Sequence, residues 1–97
     1  MSVVERWPML GRQLREALVG EGEHELAVQV DALQVYEMCQ CHDRFCQSFY
    51  TDPPPKGAYG AGHRNVVLRP DWGGYLILDV VDGQIVFVEV LYRSPLD

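Results

Sequence analysis

The C-terminal segment, residues 75–91, carries the pattern that most restricts how this chain folds. Apolar and polar side chains alternate on both sides of an Asp82-Gly83 pair, which is typical of two antiparallel strands joined by a tight loop. We take the loop as Val81-Asp82-Gly83, so that Val80 lies opposite Gln84. This register gathers one aliphatic set on a single face of the hairpin: Leu76, Leu78, Val80, Val86, Val88 and Val90. A slip of one residue would mix charge into that face.

The second face of this hairpin is also more apolar than a water-facing surface usually is. Its members in the predicted register are Ile77, Asp79, Ile85, Phe87, Glu89 and Leu91. We therefore expect the second face to be covered, and a two-fold homodimer is the predicted cover. The competing interpretation is that the loop of residues 52–62 folds back over this face, with Tyr59 at its centre.

Residues 2–20 predict an amphipathic helix. Ser2 and Glu5 stand at the spacing of a capping box, and apolar residues follow at intervals of three and four. These residues are Val3, Trp7, Leu10, Leu14, Ala17 and Leu18. Pro8 either kinks the helix or is its true first residue, and Gly20 favours a stop. We expect this helix to pack on the aliphatic face of the hairpin.

The segments between the helix and the hairpin are short. Residues 23–30 fit a short helix, although their alternation also fits a strand. Strands are predicted at residues 33–38, 45–51 and 65–69, whereas residues 52–62 contain three prolines and three glycines and predict an irregular loop. The predicted fold is a single α+β domain over residues 1–97. Its N-terminal helix, or two helices, packs on one face of a four- or five-stranded antiparallel sheet.

Composition narrows the class of function. The chain has 97 residues, of which 47% are hydrophobic and 23% charged, as in an ordinary folded domain. Its formal net charge of -6 creates an acidic field that repels phosphate backbones and anionic membranes, so neither nucleic acid nor a membrane is an expected partner. Charged residues interrupt the N-terminal segment, which predicts neither a signal peptide nor a membrane span. An odd number of cysteines favours reduced thiols, and we expect a cytoplasmic protein.

The three cysteines lie within eight residues and concentrate the soft ligands of the chain in one place. Cys39, Cys41 and Cys46, together with His42 or His63, would supply the four donors of a zinc site. Zinc sites more often present thiols as C-x2-C, and no second pair follows here. Zinc is therefore the alternative, and our first expectation is that the protein holds no stoichiometric metal.

The same cysteines have two further interpretations. A thiolate beside His42 and Arg44 would be stabilised by nearby positive charge, which favours a reactive thiol. Small buried hydrophobes at the tip of a hairpin explain the same residues without chemistry. The carboxylates of Asp79 and Glu89 share a predicted sheet face, but no cleft is evident that would shift their pKa values for catalysis.

Two segments together resemble a group of small bacterial α+β proteins. Residues 39–51 have the pattern C-x-C…C-x-[ST]-F-Y, and residues 82–91 have the pattern D-G-x-I-V-x-V-E-V-L. The resemblance covers about the last two-thirds of the chain. It implies an N-terminal helix followed by a cysteine-containing hairpin and a closing strand, and it implies no activity. His42 stands where such proteins often have glycine.

Taken together, these patterns favour a binding or assembly module over an enzyme. The alternative function is a small zinc- or thiol-dependent protein that uses the hairpin of Cys39, Cys41 and Cys46.

Overall fold

The computed structural model describes residues 1–97, and it places all helices N-terminal to the strands. The helices are α1 (Val3–Arg6), α2 (Pro8–Gly20) and α3 (His24–Ala27), followed by a 3-10 helix at Val30–Ala32. The strands are β1 (Glu37–Met38), β2 (Phe49–Tyr50), β3 (His63–Leu68), β4 (Tyr75–Val81) and β5 (Gln84–Leu91). They form one antiparallel sheet in the order β1-β2-β5-β4-β3. The predicted α+β fold is confirmed.

The N-terminal helical region consists of two helices that meet at Trp7. The Ser2 hydroxyl accepts the backbone N–H of Glu5 at 3.2 Å and donates to its carboxylate at 2.6 Å, which caps α1. Trp7 leaves the helical conformation, with φ of -136°, and Pro8 is the first residue of α2. Proline suits that position because its missing N–H has no partner in a first turn. None of the helices has the length and apolar character to cross a membrane.

The core lies between α2 and one face of the sheet. Leu10, Leu14 and Leu18 of α2 are fully buried, and the ring of Trp7 lies 5.1 Å from that of Phe49. They join one cluster with the strand residues Val66, Leu68, Leu76, Leu78, Val80, Ile85, Val88 and Val90. The predicted packing of the helix on the aliphatic face of the hairpin is therefore confirmed.

The predicted register of the β4–β5 hairpin is wrong near its turn. The loop is the two-residue Asp82-Gly83, with φ values of 49° and 80°, so Val81 pairs with Gln84 and Val80 with Ile85. Two positive φ values define the turn type whose twist matches a hairpin, which is why Asp-Gly prefers it to a longer loop. Continued without a break, this register would turn Val88 and Val90 away from the core.

A β-bulge resolves this conflict. The pairing shifts between Asp79 and Val80, so that Val86 is the extra residue and Val88 and Val90 return to the core. Thr51 holds the bulged strand by donating its backbone N–H to the carbonyl of Val86 at 3.0 Å and its hydroxyl to that of Ile85 at 2.8 Å. Ile85 therefore belongs to the core face, and its predicted place on the second face is wrong. The predicted place of Val86 on the aliphatic face is also wrong, because this bulge residue lies outside the core cluster.

The central segments contain less regular structure than predicted. Within residues 23–30 a helix forms only at His24–Ala27, and the strands predicted at residues 33–38 and 45–51 contract to β1 and β2. Part of the first strand pairs elsewhere, because Val3 donates its N–H to the carbonyl of Leu33 and Val35 donates to that of Met1. The predicted loop at residues 52–62 contains neither helix nor strand.

We call the sheet face that points away from the helices the outer face. Ile77, Phe87 and Leu91 lie there and are half-buried, whereas Val67 and Tyr75 are exposed. The ring of Tyr59, from the loop of residues 52–62, lies 4.8 Å from the imidazole of His63 on β3. This contact supports the interpretation that the loop covers part of the outer face.

Candidate thiol site

The tip of the β1–β2 hairpin brings the three cysteines together. The Sγ atoms of Cys39, Cys41 and Cys46 all lie within 4.8 Å of one another, and all three thiols are free. Cys39 and Cys46 are half-buried, and Cys41 is exposed. We call these three residues the thiol site.

Backbone hydrogen bonds fix the geometry of the thiol site. Cys39 directly follows β1 and donates its N–H to the carbonyl of Ser48 at 2.9 Å, which extends the β1–β2 pairing toward the tip. Cys46 forms an isolated bridge with Leu91, and its N–H donates to the carbonyl of Asp43 at 3.2 Å. The cysteines are thus held from both arms of the hairpin and from the neighbouring strand β5.

Two residues beside the thiol site have left-handed backbone conformations. His42, which follows Cys41, has φ of 62°, and Tyr92, whose N–H donates to the carbonyl of Phe45 at 2.9 Å, has φ of 58°. The remaining non-glycine residue with positive φ is Asp82, in the hairpin turn. Left-handed conformations are costly for histidine and tyrosine, and such strain often accumulates at functional sites.

Ser48 supplies the electrostatic support of Cys46. Its side chain is buried, and its Oγ accepts the backbone N–H of Val90 at 2.9 Å and lies 3.2 Å from the Sγ of Cys46. The Ser48 oxygen accepts a hydrogen bond from the N–H of Val90, so its own O–H does not need to donate there. The O–H of Ser48 can therefore donate to a thiolate at Cys46. Burial opposes ionisation of Cys46, but hydrogen bonds from the hydroxyl and the backbone N–H of Ser48 lower its pKa below the ordinary 9.0.

The neighbouring thiol of Cys41 behaves in the opposite way. The backbone N–H of Asp43 favours its thiolate, but contacts with the sulfurs of Cys46 and Cys39 outweigh this and raise the pKa of Cys41 to about 11. Of these two thiols, Cys46 therefore loses its proton more readily than Cys41. A cation that replaces the thiol protons would find three sulfurs already turned toward one another.

The two histidines considered as metal ligands lie in different places. His42 is exposed at the tip of the hairpin, and its imidazole is not part of the group of sulfurs within 4.8 Å. His63 contacts Asp79 instead, with 2.6 Å between Nε2 and Oδ1. The amide of Asn65 donates to the same carboxylate oxygen at 2.7 Å. The structure therefore brings together the three predicted sulfur ligands, without either histidine.

An exposed aromatic surface adjoins the thiol site. The rings of Phe45 and Tyr92 stack at 5.0 Å with an interplanar angle of 18°, and Tyr75 lies 6.2 Å from Tyr92. All three side chains are more than two-fifths exposed, at 42%, 57% and 54%.

Burial, together with the nearby carboxylate of Asp79, raises the pKa of Tyr59 on the same side of the sheet.

Sequence reasoning missed two of these features. The role of Ser48 depends on the close approach of β5, which a local pattern does not reveal. The pairing of His63 with Asp79 depends on the register of β3 against β4, in which His63 faces Val81 and Asn65 faces Asp79. The signal for this pair is the register of β3 against β4, in which His63 and Asn65 flank Asp79 on one face of the sheet.

The chain matches no protein-family model, no curated protein and no solved structure. A functional assignment therefore depends on the geometry of its own residues.

Proposed function

We propose that this protein is a small binding module whose ligand is a soft transition-metal ion, held by Cys39, Cys41 and Cys46. The observation that supports the proposal is the mutual distance of the three Sγ atoms, which is at most 4.8 Å. Tetrahedral zinc with bonds of 2.3 Å to sulfur needs sulfurs about 3.8 Å apart. Small rotations of the cysteine side chains close that difference, and the backbone of the hairpin stays as it is.

The electrostatics of the site favour a cation. Metal ligands must be deprotonated, so binding releases the thiol protons. Ser48 already stabilises the Cys46 thiolate, and the high pKa of Cys41 reflects the crowding of three sulfurs, which a metal ion relieves. Cytoplasmic conditions keep such thiols reduced, and we propose that location for the protein.

The proposed ion is a ligand of a folded domain and does not hold the domain together. The core cluster of 18 buried residues contains none of the three cysteines. Removal of the metal should therefore loosen residues 39–46 and leave the helices and the sheet folded. This behaviour contrasts with that of zinc fingers, which unfold without metal.

Elemental mass spectrometry of protein purified under reducing conditions tests the proposal. We expect about one soft metal ion per chain after dialysis against micromolar zinc or after anaerobic incubation with copper(I), and loss of that ion in Cys46→Ser. The control is His63→Ala, which changes a histidine outside the thiol site and should retain the ion. A wild-type protein that holds neither zinc nor copper(I) in stoichiometric amount would refute the proposal.

A second candidate function is self-association through the outer face, and a specific observation favours it. Val67 is 64% exposed and Tyr75 is 54% exposed at diagonally adjacent positions of β3 and β4. Val67→Glu should dissociate a homodimer, whereas Val28→Glu, at a position that is 79% exposed on the helical side, should not. Light scattering measures the molecular mass in solution. Specific dimers form in the micromolar range, so a wild type that is still monomeric at about 100 μM would exclude this function.

A further inference from the structure

We propose that the ion bound at the thiol site is monovalent copper, held by three thiolates without a fourth protein ligand. This inference rests on the proposed metal binding and specifies which ion is bound. The observation behind it is the donor set, because the group of ligand atoms within 4.8 Å consists of three sulfurs and nothing else.

A zinc ion would find this donor set incomplete. Structural zinc sites are closed by four protein ligands, so zinc here would need a nitrogen or a water molecule in addition. His42 is adjacent in sequence, but its side chain is exposed and lies outside the group. The backbone of Asp43 is already engaged in shaping the loop, since its N–H contacts the Cys41 sulfur and its carbonyl accepts the N–H of Cys46.

The three sulfurs of the thiol site match the ligand preference of copper(I). Thiolates are soft ligands that select copper(I), and three of them complete the coordination of this ion. The donors around the sulfurs offset the net negative charge that remains on the complex. They are the hydroxyl and the backbone N–H of Ser48 on Cys46, and the backbone N–H of Asp43 on Cys41.

The surroundings of the sulfurs also suit an oxidisable ion. Cys39 and Cys46 are half-buried, and the stacked rings of Phe45 and Tyr92 adjoin Cys46 along the chain and through the hydrogen bond between their backbones. The partial burial of these two sulfurs limits the access of solvent to a bound metal. Cys41 is exposed and leaves one side open for the ion to enter.

The experiment is an anaerobic titration of the reduced full chain with copper(I), with bicinchoninate as the competing chelator and zinc sulfate as the competing ion. X-ray absorption spectroscopy of the copper-loaded protein then counts the sulfur neighbours. We expect one copper(I) per chain, three sulfur neighbours, and no displacement by a tenfold excess of zinc. Cys46→Ser should weaken copper binding by at least about tenfold, whereas His42→Ala should leave it unchanged.

The outcomes separate this inference from the function on which it rests. Displacement of copper by zinc, or a loss of affinity of tenfold or more in His42→Ala, would overturn the choice of ion and leave metal binding intact. Binding of neither ion would overturn the proposed function itself. His24→Ala serves as the histidine control, because this exposed residue of α3 is remote in sequence from the thiol site.

Discussion

The hydroxyl of Ser48 lies 3.2 Å from the sulfur of Cys46, and both residues are held by the neighbouring strand β5. Ser48 accepts the N–H of Val90, and Cys46 bridges to Leu91. The sheet therefore sets the position of one sulfur of the thiol site, while the hairpin tip carries the other two. Hydrogen bonds to metal ligands of this kind orient them and tune the affinity of the site.

Ser48→Ala should accordingly weaken binding of the metal ion by about tenfold. It should also cost roughly 1 to 3 kcal/mol of folding free energy, because the N–H of Val90 is left without its partner. Competition with a chromophoric chelator measures the first effect, and urea denaturation the second. Ser94→Ala, at an exposed position, is the control. An affinity within a factor of two of the wild type would contradict the role given to Ser48.

His42→Gly should stabilise the protein by about 0.5 to 1 kcal/mol. The gain is the relief of a left-handed backbone conformation, reduced by the greater freedom of glycine in the unfolded chain. Tyr92→Gly, at φ of 58°, relieves similar strain but removes the stacking on Phe45, so it should give no net gain. Urea denaturation of both variants decides the matter, and a destabilised His42→Gly would show that the imidazole makes contacts that outweigh the strain.

Leu78→Ala should cost about 2 to 5 kcal/mol, because Leu78 is fully buried in the core cluster. Val67→Ala, on the adjacent strand but on the outer face, should cost less than about 0.5 kcal/mol. Chemical denaturation of the two variants measures the difference. Equal losses would mean that the assignment of the two sheet faces is wrong.

The ion pair between Glu23 and Arg64 should make stability depend on pH in the acid range. The two guanidinium nitrogens Nη1 and Nη2 of Arg64 donate to the carboxylate of Glu23 at 2.9 and 3.0 Å, and this hydrogen bonding lowers the pKa of Glu23 below the ordinary 4.5. A carboxyl group with a lowered folded-state pKa contributes stability above its unfolded-state pKa, and this is lost as the pH falls through the folded-state value.

Glu23→Gln should therefore be less stable than the wild type at pH 7, by less than about 1 kcal/mol because the pair is partly exposed, and the difference should shrink as the pH falls below 4.5. Glu25→Gln, in the helix α3 that Glu23 directly precedes and without an ion-pair partner, is the control. Urea denaturation at several pH values provides the measurement. A constant difference between Glu23→Gln and the wild type across this range would contradict the linkage.

Local patterns were sufficient to predict the parts of the fold that local forces determine. The Ser2 cap, the apolar spacing of α2 and the alternation of β4 and β5 each depend on residues close in sequence. The exact pairing around Asp82-Gly83 was not predicted. The two-residue turn requires one strand register, and burial of Val88 and Val90 requires another. The bulge at Val86 shifts the pairing by one residue and so satisfies both requirements. Such a compromise is visible only when both demands are considered together.

The thiol site was predictable as a set of ligands but not as a geometry. Cys39 and Cys41 are two residues apart, a spacing that puts both side chains on one side of an extended strand. The distance to Cys46, in contrast, depends on the left-handed turn at His42 and on the bridge to Leu91. Neither the long-range bridge nor the contribution of Ser48 has a signature in the residues 39–46 themselves.

Protection of the cysteines from alkylation tests the central claim most directly. The reduced wild-type protein is treated with iodoacetamide with and without one equivalent of metal ion, and the labels are counted by mass spectrometry of the intact chain. Metal binding by Cys39, Cys41 and Cys46 predicts three labels on the metal-free chain, none on the metal-loaded chain, and three again after removal of the ion by a chelator. Three labels at the same rate with and without metal would contradict it.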